Sequence, residues 1–187
     1  ILCILLLLLT GCSSKTSMIE IQKHVYVEKE FKDSWLETNE FGDSYIKEEL
    51  QGGYHYHFDQ QFLEIFFNSG GKIELYNYSI KKNDLIISGE MIPPKTIRLV
   101  HPHLDNVTSE GVIIHELGHY FDEKHQFSSS KQFTELYKKH RTLFNQKTKK
   151  EYFAECFKEY VGGHQEKVKP FHSYMKTITQ KIRQKNK

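Results

Sequence analysis

Apolar residues fall into two rhythms along this chain, and the rhythm changes near residue 100. Val25-Tyr26-Val27 begins a strand. Residues 28 to 50 mix acids with spaced apolar positions, Phe31, Trp35, Leu36 and Ile46, which predicts helix with a break near Gly42. Asp59 to Asn68 repeats at helical spacing: Phe62, Leu63, Ile65 and Phe66 form the buried side, and Gly70-Gly71 ends the helix. Lys72 to Ile80, Leu85 to Ser88 and Thr96 to Val100 alternate or run apolar as strands do, separated by Lys81 to Asp84 and by Pro93-Pro94. Beyond residue 108 the period is helical: one helix spans the 110s, and others lie near 131 to 144, 149 to 163 and 171 to 184. The class expected is α+β, a small sheet followed by a helical C-terminal half. No repeat or second domain is visible, so residues 20 to 187 read as one domain.

The helix through the 110s carries His115-Glu116-Leu117-Gly118-His119. A helix advances 100° per residue, so His115 and His119 lie one above the other on a single face, where two imidazoles can hold one ion. Glu116 is placed to act as general base on a water kept at an open metal position. Counted from His115, Ile113, Ile114, Leu117, Tyr120 and Phe121 fall at about 140° to 260°, on the opposite face. Thr108 and Ser109 are N-cap candidates, with Glu110 in the positive first turn. Asp122 returns to the histidine face and reads either as an acceptor that orients an imidazole or as an exposed acid.

A catalytic zinc site needs a third protein ligand. Glu151 and Glu155 stand at i and i+4 on a second helix whose apolar stripe is Phe153, Cys156, Phe157, Tyr160 and Val161. One carboxylate can bind metal while the other accepts the spare ring N–H of a ligand histidine; the plain alternative is two solvated glutamates.

Ser109-Glu110-Gly111, His115 to Asp122 and Glu151-Tyr152-Phe153-Ala154-Glu155-Cys156-Phe157 together resemble the anthrax lethal factor-like zinc metallopeptidases, a family that includes the secreted Pro-Pro endopeptidases of clostridia. The resemblance covers about fifty residues. It implies a zincin-like fold with one Zn²⁺ per chain and a sheet whose edge strand pairs with an extended peptide substrate. It also implies that Glu151 is the third ligand and that Glu155 supports a ligand histidine. One position departs: the family places an oxyanion-stabilising tyrosine seven residues before the third ligand, and here that residue is Phe144. Losing one such donor costs on the order of 10²- to 10³-fold in rate. Tyr137 and His140 are the candidates to replace it, and His164, after Gly162-Gly163, is a candidate substrate contact.

Residues 1 to 9 form an apolar run too short to span a bilayer but suited to a signal-peptide core whose start lies upstream. Leu9-Thr10-Gly11-Cys12 resembles a bacterial lipobox, which implies lipidation of Cys12 and a polar linker, Ser13 to Ser17, between membrane and domain. The expected location is therefore extracytoplasmic and membrane-anchored, with plain secretion as the alternative. Cys156 then remains as a buried, inert thiol, and no intrachain disulfide is available.

A composition of 38% hydrophobic and 27% charged residues with a formal charge of +2 excludes disordered and fibrous classes. Basic residues alternate with acids, so nucleic acid is not an expected partner. His55 and His57, on one face of an expected strand, and His101 and His103, flanking Pro102, read as surface or packing residues rather than ligands. The expected activity is zinc-dependent hydrolysis of peptide bonds in proteins. The competing expectation, favoured by Phe144, is a weak or inactive zinc-binding lipoprotein that recognises a partner.

Overall fold

The computed structural model describes residues 17–38, 44–53, 55–78, 80–82, 85–101, 111–146 and 148–185, the side chains of 81, 82, 85 and 86 excepted. The signal segment, the linker up to residue 16, Cys12, Gly42 and His103 lie outside them. The architecture is α+β: a mixed five-stranded sheet, a separate two-stranded ribbon, and seven α-helices among the described residues.

The sheet combines β1 (Met18–Gln22), β2 (Val25–Glu28), β3 (Lys72–Tyr76), β6 (Gly89–Ile92) and β7 (Thr96–Val100) in the order β1-β2-β3-β7-β6. The three central strands are parallel and the two edges antiparallel. Registers align Val25, Ile73 and Ile97 in one row and Val27, Leu75 and Leu99 in the next, and all six side chains are fully buried. Period-2 alternation places the polar set on the other face. There Glu74 accepts from Lys72 Nζ (2.6 Å), Tyr76 Oη (2.9 Å) and Arg98 Nε (3.2 Å). The strands β4 (Ile80–Lys82) and β5 (Leu85–Ile87) form the ribbon, so the strand expected to run from Lys72 to Ile80 is broken after Tyr76.

On the N-terminal side, α1 (Lys32–Leu36) and α2 (Tyr45–Gln51) replace the interrupted helix expected over 28 to 50. The helix α3 (Gln61–Asn68) buries Phe62, Leu63, Ile65 and Phe66, the side its spacing predicts. The C-terminal half contains α4 (Val112–His125), α5 (Lys131–His140), α6 (Lys149–Val161) and α7 (His172–Gln184). Phe62, Phe121 and Phe157 meet with ring centroids 5.4 to 5.9 Å apart, joining α3, α4 and α6 in one aromatic core.

Three expectations are corrected. The N-cap candidates Thr108 and Ser109, with Glu110, lie outside the described residues, and the N-cap of α4 is instead Gly111, at φ 73°, with no acid in the first turn. Tertiary contact sets that start, because Gly111 N–H donates to the Gly52 carbonyl (2.9 Å) and a Cβ at Gly111 would stand 2.9 Å from both the Tyr56 ring and the Lys158 stem. The segment holding His55 and His57 is not a strand; both side chains are exposed, and His57 N–H donates to the Gly162 carbonyl. The helix α5 stops at His140 instead of 144, and the Tyr152 hydroxyl donates to the His140 carbonyl at that end.

The helices α4 and α6 come close together at Gly118, where an added Cβ would lie 2.9 Å from the Ala154 Cα. Backbone cannot yield as a flexible side chain does, so Gly118→Ala separates the helices. Overpacking of this kind costs about 1–3 kcal/mol, partly offset by alanine's better helix propensity of about 1 kcal/mol. We expect a net loss of stability in urea unfolding; a stabilised variant would show that the crossing is not tight.

Candidate metal centre

The crossing of α4 and α6 brings four ionisable side chains from two distant segments together. His115 and His119, one turn apart on α4, face Glu151 in the first turn of α6. Thr148 caps α6 by accepting from Glu151 N–H (3.2 Å), which fixes where Glu151 leaves the helix. His115 Nε2 and His119 Nε2 lie 3.2 Å apart, and each is 3.3 Å from Glu151 Oε2. A tetrahedral ion with bonds of about 2.0–2.1 Å separates its donor atoms by about 3.3–3.4 Å, so this triangle has the dimensions such an ion requires. The group His115, His119 and Glu151 could hold a metal ion, and it is partly buried.

Glu155, one turn beyond Glu151, points Oε2 at His115 Nδ1 (3.2 Å) while Oε1 accepts from Lys158 Nζ (2.6 Å). With Nδ1–H donated to Glu155, His115 keeps Nε2 free as a ligand atom. Glu116 is 6% exposed. Burial raises its pKa, and the neighbouring Glu151 adds to that, against the lowering effect of His115, His119 and a hydrogen bond from the Met91 backbone. The last contact ties the buried carboxyl to the edge strand β6.

A cleft of about 750 Å³ opens over these residues. Its lining includes Gly89, Glu90, Met91 and Pro93 around the edge strand, Glu116 and His119 of α4, and Asn145, Gln146, Thr148 and Glu151 around the start of α6.

The remaining candidates do not join the ligand group, although Asp122 also lines the cleft. Asp122 is neither exposed nor bonded to an imidazole: it is buried, and its two oxygens accept from Ser128 N–H and Ser128 Oγ at 2.6 Å each, closing the turn after α4. Tyr137 packs edge-on against Tyr152 and His140 against Phe171. Phe144 also rests on Tyr152, with centroids 5.3 Å apart. His164 Nδ1 stands 3.0 Å from Glu159 Oε2, its ring against Tyr56. Among the described residues that line the cleft, Tyr137, His140, Phe144 and His164 do not appear. His101 is a packing residue, 4.8 Å from both Trp35 and Tyr45. Cys156 is fully buried, and burial pushes its thiol pKa up.

Sequence reasoning missed the edge strand and the Asn145-Gln146 lining, which carry no periodic signal. It also missed Lys158, although the i, i+3 spacing from Glu155 on one helix was a usable sign. Comparison with models of known protein families gives no match, and comparison with curated proteins gives none either.

Burial opposes protonation of His115, yet hydrogen bonds to Glu151 and Glu155 and the charge of Glu116 outweigh it, raising its pKa to about 9. The folded value lies above the ordinary 6.5, so this pairing stabilises the metal-free protein fully below pH 6.5 and is lost as pH rises through about 9. A metal ion must displace that proton. Metal affinity should therefore rise by about tenfold per pH unit between 6.5 and 9 and then level off. Calorimetric titration in buffers of different ionisation enthalpy reads the released proton; pH-independent affinity over that range would contradict the arrangement.

Proposed function

We propose that this chain is a zinc-dependent endopeptidase with a zincin-like domain, similar to the anthrax lethal factor-like metallopeptidases. The observation that carries the reading is the 3.2 to 3.3 Å triangle of His115 Nε2, His119 Nε2 and Glu151 Oε2 beside the buried Glu116. Two neutral imidazoles and one carboxylate suit Zn²⁺, and three protein ligands leave a coordination position open, as in catalytic rather than structural sites.

When bound, zinc supplies a Lewis acid that brings the pKa of a ligated water toward 7. Glu116, whose pKa is raised by burial, takes a proton from the attacking water and returns it to the leaving amine. Glu155 holds His115 in the tautomer that exposes Nε2. Among the described strands β6 is an edge of the sheet, with β7 as its neighbour, and it lines the cleft where an extended peptide would pair. With Phe144 packed on Tyr152, the neutral side-chain donors that line the cleft, the amides of Asn145 and Gln146 and the hydroxyl of Thr148, are the candidates to meet a developing oxyanion. The apolar run and lipobox at residues 1 to 12 favour an exported protein held to the membrane through Cys12.

The position of Phe144 also supports the second reading, a zinc-binding protein that recognises a partner with little or no cleavage. One experiment separates them. The purified chain and its Glu116→Ala variant are incubated with a peptide library, with and without chelator, and products are read by mass spectrometry. A peptidase loses cleavage by about 10²- to 10⁴-fold in the variant, while its zinc content stays unchanged. Zinc uptake without cleavage by the unsubstituted chain selects the binder, and equal cleavage by both proteins would sink the catalytic role of Glu116.

A further inference from the structure

Behind the metal ligands lies a chain of polar contacts that the reaction does not use. Glu155 faces His115 through one oxygen and Lys158 through the other. Lys158 Nζ also lies 3.7 Å from Glu159 Oε1 and sits over the Tyr56 ring at 5.9 Å. Glu159 is 4% exposed, and its carboxylate accepts from Tyr56 Oη (3.1 Å) and Lys167 Nζ (3.0 Å), with His164 Nδ1 at 3.0 Å. Lys158 itself is 16% exposed, unusual enclosure for a lysine.

The backbone is shaped around this pair. The N-cap of α4, Gly111, lies against the Lys158 stem and the Tyr56 ring, and Gly162 lies so close to Tyr56 that a Cβ there would stand 2.2 Å from the ring. A residue that only shields a solvated glutamate needs no such seat. The ammonium is held from below by Glu159 and Tyr56 and grips Glu155 Oε1 from above.

We propose that Lys158 is a positioning residue for the metal centre: by holding one oxygen of Glu155, it aims the other at His115 Nδ1 and so keeps His115 Nε2 turned toward the ion. The inference rests on the metal-binding reading above and concerns how that site is held. A free glutamate has several rotamers, and the loss of one anchor leaves its second oxygen to wander from the imidazole. Groups that orient a ligand histidine typically contribute 10- to 100-fold in metal affinity.

The test measures Zn²⁺ affinity of the full chain by competition with a chromogenic chelator, for the unsubstituted protein, Lys158→Met, Lys158→Arg, Glu155→Gln and the Glu155→Gln/Lys158→Met double variant. Lys158→Met should bind about tenfold more weakly, and Lys158→Arg, which keeps a cationic donor, should recover affinity to within a few-fold. Because Lys158 acts through Glu155, its removal should have little further effect once Glu155 is replaced. The thermal midpoint of each metal-free variant controls for a loosened fold, and Lys158→Gln substitutes if the methionine variant does not fold. Unchanged or tighter binding by Lys158→Met overturns the proposal, as does a full tenfold loss added on top of Glu155→Gln. Absence of zinc uptake by the unsubstituted chain would instead overturn the metal site itself.

Discussion

A missing side chain controls the chemistry of this protein. At Gly118 the helix α4 presents bare backbone, and Ala154 of α6 settles into that space. Helices usually cross at 8–10 Å between axes, with the separation set by the residues at the contact. Glycine against alanine gives the close end of that range. The ligand triangle inherits its dimensions from this contact, since two corners come from α4 and the third from α6. Metal bonds tolerate about 0.2 Å of error, so a shift of helix axes by a methyl radius would spoil a triangle whose sides are 3.2 to 3.3 Å.

Gathering two imidazoles and three carboxylates beneath a partly closed cleft carries a desolvation cost, and the arrangement offsets it in layers. In the metal-free protein a proton held on His115 supplies positive charge, which is why that imidazole titrates so high and Glu151 so low. A divalent ion held by His115, His119 and Glu151 would take the proton's place and add charge. Outward from His115 the signs alternate: Glu155, then Lys158, then Glu159, then Lys167 near the surface. Along this chain each buried charge has an opposite neighbour, a condition under which burial is tolerated. Asp122 is satisfied by a different route, accepting two hydrogen bonds from Ser128.

What could be read beforehand was whatever repeats. The stripe Ile113, Ile114, Leu117, Tyr120 and Phe121 is buried as the 3.6-residue period requires, and so is the Phe62 to Phe66 side of α3. Once both helices were placed, i, i+4 spacing was enough to put His115 with His119 and Glu151 with Glu155. What could not be read came from contacts across the chain. The edge strand β6 has four residues, begins with glycine and ends at a proline pair, so alternation has no room to show. The strand β1 did alternate, at Ile19 and Ile21, but its polar surroundings hid it. Helix α4 starts at Gly111 because Tyr56 and Lys158 occupy the adjoining space, and no local capping rule contains that information. Phe144 had a visible identity but not a visible direction. Its ring turns to Tyr152, and the next two residues reach the cleft instead.

This division between periodic and aperiodic elements separates two kinds of consequence. Residues on α4 and α6 decide whether an ion is held, because their geometry is rigid and shared with the core. Residues on β6 and in the 145–148 stretch would decide what lies against that ion, because they line the cleft and are not themselves among the three candidate ligands. Asn145, Gln146 and Glu90 are not part of the buried core, so they can change without disturbing the crossing at Gly118. On the proposed reading, the donor for a developing oxyanion belongs to this lining and not to the two helices. Phe144, where the resembled family carries a tyrosine, would then be compatible with an intact metal site, and the change would fall on rate and selectivity before it fell on metal affinity or fold.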